Sequence, residues 1–310
     1  MSTALLILPV ISIIILGWIS AASGYVSKNV ASYLIDFVMK IATPALLFVV
    51  LSQETLSRIF YWPFILAFGG GAIIFFVIAF GTSRIMGQKN DSAALLGLAA
   101  SQSSASFVAL PVLLVIVGHK AVLPVAISIF ILLAIVLPIG VILIELRSES
   151  NKSFTKALFS IGAKIMRNPI IIATLLGILW AAISIPVPSL PEKFLHLLAG
   201  AVTPCALFAV GLNMNISAIK NSWRSISILA IAKLIALPAL VMLFCFLLNV
   251  SNIFAISAVL ISAVPIAKIV YMLSSSYKID SEYYAAATAA TEVGSIFTLF
   301  LWVMLVMHIW

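Results

Sequence analysis

Charge is scarce in this 310-residue chain: Lys, Arg, Asp and Glu together make up 8% of it, against roughly a quarter of an ordinary soluble domain. So few charges cannot cover a water-facing surface, which excludes a soluble globular protein. Cysteine is limited to Cys205 and Cys245. Both lie in apolar runs with no Cys or His at ligand spacing, so neither a disulfide framework nor a metal site is expected. No Lys or Arg precedes Lys28, and the apolar stretch 4–23 therefore lacks the basic start of a secretory signal and reads as a membrane span. No Gly-x-x-x-x-Gly-Lys-Ser/Thr loop is present, so ATP-driven work would need another subunit. The chain also lacks a His-Glu-x-x-His helix, paired intramembrane aspartates and a Ser-His pair, which argues against an intramembrane enzyme. No cofactor is expected.

Apolar residues are what the chain has: they form 64% of it, and mean hydropathy is +1.28. Runs bounded by charge or by Pro, Gly and Asn clusters predict ten membrane helices, at about 4–23, 30–52, 63–83, 92–117, 121–144, 169–185, 195–214, 224–248, 252–276 and 283–306. The stretch 145–168 carries Arg147, Lys152, Lys156, Lys164 and Arg167, which the positive-inside rule assigns to the cytoplasm. Lys28, Arg84, Lys89, Lys220, Arg224 and Lys278 then also fall inside, Arg58, Lys120 and Lys193 fall outside, and both termini face out. The net charge of +8 is thereby accounted for as loop charge, with no nucleic-acid partner implied.

Two segments echo each other: Thr43-Pro44-Ala45-Leu46-Leu47-Phe48 and Thr203-Pro204-Cys205-Ala206-Leu207-Phe208. A second pair lies in Ser103-Ser104-Ala105-Ser106-Phe107-Val108-Ala109-Leu110-Pro111 and Ser262-Ala263-Val264-Pro265-Ile266-Ala267-Lys268. Proline removes an amide donor and clashes with the preceding turn, so the fourth and ninth helices are expected to break at Pro111 and Pro265. Five helices per half is an odd number, so the duplication is expected to be inverted: 1–148 as one repeat, 149–168 as a basic cytoplasmic loop and 169–310 as the second repeat. That is an all-α membrane fold of two inverted five-helix repeats, an architecture of secondary transporters.

These features together resemble the auxin efflux carrier family of secondary transporters, which sits near the bile-acid/sodium symporters in fold. The resemblance spans nearly the whole chain and rests on the segment 44–48, its partner 204–208 followed by Gly211, the Phe107-x-x-x-Pro111 spacing, and Pro265 with Ala267 and Tyr277. It implies a carrier for small organic anions such as malate, malonate or indole-acetate-like weak acids. It further implies that the fourth and ninth helices cross at their broken midpoints and hold substrate there. Carried over by position, the site residues are Ser104, Ser106, Phe107, Pro111, Pro265 and Lys268. The family often has Asn seven residues before the fourth-helix proline and Gly five and two before it, where this chain has Ser104, Ser106 and Ala109. A serine lacks the amide's fork, and Gln102 is the nearby residue that could supply one.

Three lysines fall within the spans. Lys268 lies roughly 12 Å deep and Glu292, in the next helix, roughly 13 Å deep from the same side at 1.5 Å per residue. An intramembrane lysine is expected to face a cavity or a partner, so Lys268 is a candidate carboxylate ligand with Glu292 as counter-ion or proton acceptor. Alternatively its ammonium takes the place of a sodium ion, or the pair is a static brace. Asp36 and Lys40 are four residues apart and share a face, as a structural brace or a proton or gating element. Lys233 has no acid three or four residues away and is expected to snorkel or to meet Glu292. Thr43 and Thr203 are expected to return hydroxyl bonds to carbonyls released by the following proline.

The function implied is secondary transport of mono- or dicarboxylates by alternating access, proton-linked or uncoupled, in the inner cell membrane. A sodium-coupled organic-anion symporter and a non-transporting sensor or channel are the alternatives. The expected partners are a small carboxylate and the lipid bilayer, with a homodimer allowed.

Overall fold

The computed structural model describes residues 3–27, 29–145, 162–163, 166–213 and 223–310. Lys28, Arg147, Lys152, Lys156, Lys164 and Lys220 lie outside them, as does most of the 149–168 segment. In chain order the helices are α1 (Thr3–Ala22), α2 (Val30–Leu51), α3 (Leu56–Ile85), α4 (Asn90–Ser101), α5 (Ala105–Ile116) and α6 (His119–Glu145). They continue as α7 (Pro169–Ile183), α8 (Ser189–Asn213), α9 (Arg224–Leu247), α10 (Asn252–Ala263), α11 (Lys268–Tyr277) and α12 (Ser281–Ile309). No strand occurs among the described residues; the sole β-type pairing is an isolated antiparallel bridge between Ser103 and Ile266. Six helices, α2, α3, α6, α8, α9 and α12, are long and apolar enough to cross a membrane, and α1, α5, α7 and α10 hold shorter apolar stretches.

Proline shapes these helices in a regular way. Thr43, Leu110, Leu137 and Leu237 each precede a proline, and each donates its amide to the carbonyl five residues back: Val38, Ala105, Leu132 and Ala232. A proline ring clashes with the carbonyl four residues before it, and a widened π turn moves that carbonyl aside without ending the helix. One such carbonyl, Leu234, four residues before Pro238, accepts the Trp302 indole N–H at 2.8 Å. The hydroxyl of Thr43, in contrast, is buried without a hydrogen-bond partner, so it does not return a bond to a released carbonyl as expected.

For the same reason Pro111 does not break its helix. It sits near the start of the α-helical part of α5, directly after the π turn Ala105–Ala109. The interruption lies upstream, at residues 102–104 between α4 and α5, while the second interruption does include its proline, at residues 264–267 between α10 and α11.

Packing is closest where glycines face each other. On α1 a Cβ at Gly17 would lie 2.3 Å from the Phe208 carbonyl oxygen, and on α8 a Cβ at Gly211 would lie 2.0 Å from that of Ile14. Small residues that let backbones approach are how membrane helices gain van der Waals contact without a hydrophobic drive.

Candidate functional site

The two interruptions lie against each other. Ser104 donates its amide to the Pro265 carbonyl at 3.0 Å, and Ala267 donates its amide to the Gln102 carbonyl at 3.3 Å. Backbone groups that a helix would satisfy internally are thus paired across the crossing, as a low-dielectric interior requires. Each side is also anchored to a neighbouring helix. The Gln102 side-chain amide donates to the Leu132 carbonyl at 2.8 Å, and the Thr291 hydroxyl accepts the Ile266 amide at 3.3 Å.

A cavity of about 330 Å³ opens beside this crossing. Gln102, Ser104, Ser106, Phe107 and Lys268, all expected at the site, line it. Lys268 begins α11, keeps 37% of its side chain exposed, and holds its ammonium 5.5 Å from the centre of the Phe107 ring. Its Nζ lies 3.7 Å from Glu292 Oε1. Glu292 and Pro265 line a different and much smaller cavity, of about 30 Å³, bounded mainly by apolar side chains including Val108, Val112 and Leu299. The Lys268–Glu292 pair therefore spans from the larger cavity to the smaller one.

Other expected residues lie apart. Pro111 lines neither cavity. Asp36 and Lys40 form the expected pair at 2.7 Å, with 62% and 63% of their side chains exposed, and neither lines the cavity, although Ile35 and Met39 of the same helix do. Ser106 points to Met39, its hydroxyl 3.6 Å from the sulfur.

Lys233 differs most from expectation. It neither snorkels nor meets Glu292. It is fully buried, the one charged side chain so placed among the described residues, and donates to the Ser103 hydroxyl at 2.6 Å and the Ser262 carbonyl at 2.9 Å. Residues missed from sequence include Ile129, Leu132, Leu133, Asn168 and Met272, which line the cavity. Leu132 and Leu133 fall in the π turn before Pro138, so that proline was an available signal; the others carry none.

A second, larger groove of about 620 Å³ lies between α1 and α12 and is lined by residues such as Trp18, Phe297 and Phe300. Among the described residues its lining is aliphatic and aromatic, with no charged side chain. Among the described residues no group of three or more His, Cys, Asp or Glu side chains could hold a metal ion.

Comparison with known proteins places the chain among membrane transporters. A protein described as "Putative malonate transporter" from Rhizobium meliloti (strain 1021) is 25% identical over 295 residues, covering 94% of this chain and 92% of its own. A protein described as "Uncharacterized transporter YfdV" from Escherichia coli (strain K12) is 26% identical over 304 residues, covering 96% and 95%. The family model described as membrane transport protein matches residues 3–303. A helical chain of membrane-spanning character, matched from end to end by that model, is a transporter rather than an enzyme, and it belongs to the membrane transport protein family, the auxin efflux carriers that its sequence resembles.

Proposed function

We propose that this protein is a secondary transporter of small organic anions that passes a carboxylate across the helix crossing by alternating access. The observation that carries the reading is Lys268. It is an intramembrane cation that lines a cavity at the crossing and is paired, at 3.7 Å, with a carboxylate belonging to the cavity beyond it. A cation so placed within apolar helices binds an anion or marks an ion path. The first-turn amides of Lys268 and Ile269 add to it, because helix N-terminal amides lack intrahelical acceptors and both residues line the cavity. Ser104, Ser106 and Gln102 supply neutral polar groups, and Phe107 covers the ammonium. In this mechanism the carboxylate displaces Glu292 from Lys268. Glu292 then takes a proton or turns to the smaller cavity, and the rocking of one helix bundle against the other closes the larger cavity and opens the smaller.

The architecture proposed is two inverted repeats, 1–148 and 169–310, joined by a basic cytoplasmic segment, with both termini outside the inner membrane. The matching interruptions at residues 102–104 and 264–267, together with their mutual pairing, support it. The substrate class is supported by Lys268, the one cationic side chain among the described residues that line the cavity, and by the Rhizobium relative described as "Putative malonate transporter". Transport is proton-linked or uncoupled.

The test is uptake into proteoliposomes of labelled mono- and dicarboxylates, with and without pH and sodium gradients. Saturable uptake of at least one acid, stimulated or unaffected by a pH gradient and indifferent to sodium, is expected. Failure of every acid tested, or strict dependence on sodium, overturns the proposal.

A further inference from the structure

Although its partner Ser103 lines the cavity just described, Lys233 does not. It lies in the π turn Ala232–Ala236 of α9, ahead of Pro238, and reaches the crossing from the side. One of its two acceptors lies in the first interruption and the other at the helix end that leads into the second. Ser103 lies in the break between α4 and α5, whereas Ser262 lies in the last turn of α10.

The Ser262 carbonyl is free because α10 ends. A continuing helix would bring the Ile266 amide to it, but that amide is bonded to Thr291 instead. The last carbonyls of a helix carry partial negative charge and favour a cation. In discontinuous membrane helices, such carbonyls together with unwound backbone are what coordinate dissolved sodium. Lys233 forms no ion pair with a described carboxylate. A buried charge normally requires such a partner, and here a hydroxyl and a helix-end carbonyl stand in its place. These are neutral oxygens of the kind that hold a monovalent metal ion.

We infer that the Lys233 ammonium fills a monovalent-cation site formed by the Ser103 hydroxyl and the Ser262 carbonyl, clipping the two interruptions together as a tethered replacement for a dissolved ion. It acts as a positioning residue for the crossing. The consequence for function rests on the transport reading above: this carrier needs no sodium or potassium bound at the crossing.

The test removes the tether and offers free ions. Lys233→Ala leaves the two oxygens and opens space beside them, while Lys233→Met keeps the volume without the charge. In detergent, the melting temperature of the wild type should not distinguish sodium, potassium and choline. That of Lys233→Ala should fall in choline and recover by roughly 3 °C or more in sodium, potassium or propylammonium. Lys233→Met should show no recovery, and adding Ser103→Ala to Lys233→Ala should abolish it. In proteoliposomes, Lys233→Ala should lose at least about tenfold in uptake in choline and regain part of it with the same ions. Absence of any ion response in Lys233→Ala overturns the inference, and so does wild-type uptake by Lys233→Met in choline. If Lys233→Ala cannot be purified in choline, Lys233→Met decides alone by whether uptake is lost in a folded protein. The melting arm needs no substrate, so a wild type that transports no carboxylate would defeat the transport reading without deciding this one.

Discussion

Two lysines within the same helical bundle meet different surroundings, and their substitutions should separate accordingly. Lys268 has more than a third of its side chain exposed to a cavity and faces Glu292, whereas Lys233 is sealed among backbone and hydroxyl oxygens. A hydrogen bond to a charged group contributes about 1.5–3 kcal/mol, equivalent to roughly 10- to 100-fold in affinity. Lys268→Ala should therefore raise the half-saturating carboxylate concentration by roughly that factor while leaving the melting temperature within a few degrees. Unchanged uptake would remove Lys268 from the site. Glu292→Gln keeps the shape but cannot ionise, so any stimulation of uptake by a pH gradient should disappear while binding of the acid persists. Isothermal titration alongside gradient-driven uptake distinguishes the two. Sequence pointed to Lys268 because a charge beside a membrane proline is conspicuous. It did not reveal the role of Lys233, whose partners lie 130 and 29 residues away and leave no local spacing to recognise.

At the scale of helices, the regularity is the π turn ahead of a proline. Trp302 joins α12 to the released Leu234 carbonyl. Trp302→Phe preserves most of the packing but leaves that buried acceptor unpaired, at a cost of about 1–3 kcal/mol. A lower melting temperature in detergent is expected, and an unchanged one would mean that the carbonyl finds another donor. The Gly17–Gly211 contact is less forgiving, since the atoms a new Cβ would meet are backbone. Gly211→Ala should force α1 and α8 apart and cost about 1–3 kcal/mol as overpacking, read as loss of monodisperse protein on size-exclusion chromatography. Prolines mark these helices in the sequence, yet their effect was legible only in part. Pro265 lies in an interruption, whereas Pro111 lies in a continuous helix whose break precedes it by seven residues or more. The difference arises because a π turn relieves the ring clash at Pro111, and the chain opens instead at 102–104, where Pro265 and Ala267 offer backbone partners.

For the whole molecule, the proposed inverted repeat makes a statement about sides. With Cys205 and Cys245 replaced by serine, single cysteines at Arg167 and Lys193 should react with a membrane-impermeant maleimide from opposite faces, Arg167→Cys from the cytoplasm and Lys193→Cys from outside. Reaction of both from one side would overturn the topology. A cysteine at Met272, on the wall of the larger cavity, should react from the cytoplasmic face and be protected by a transported acid.

Scarcity of charge and length of apolar runs, by themselves, determined that this chain lives in a bilayer, because a polypeptide with so little charge cannot dress a surface in water. The order of its prolines and small polar residues determined the family. What only the tertiary structure decided is which of these residues meet. Ser103 and Ser262 become ligands of one ammonium, and Gln102 becomes an anchor for another helix, because each broken backbone must find its hydrogen bonds outside its own helix. Those partners are set by how helices cross, not by their spacing along the chain.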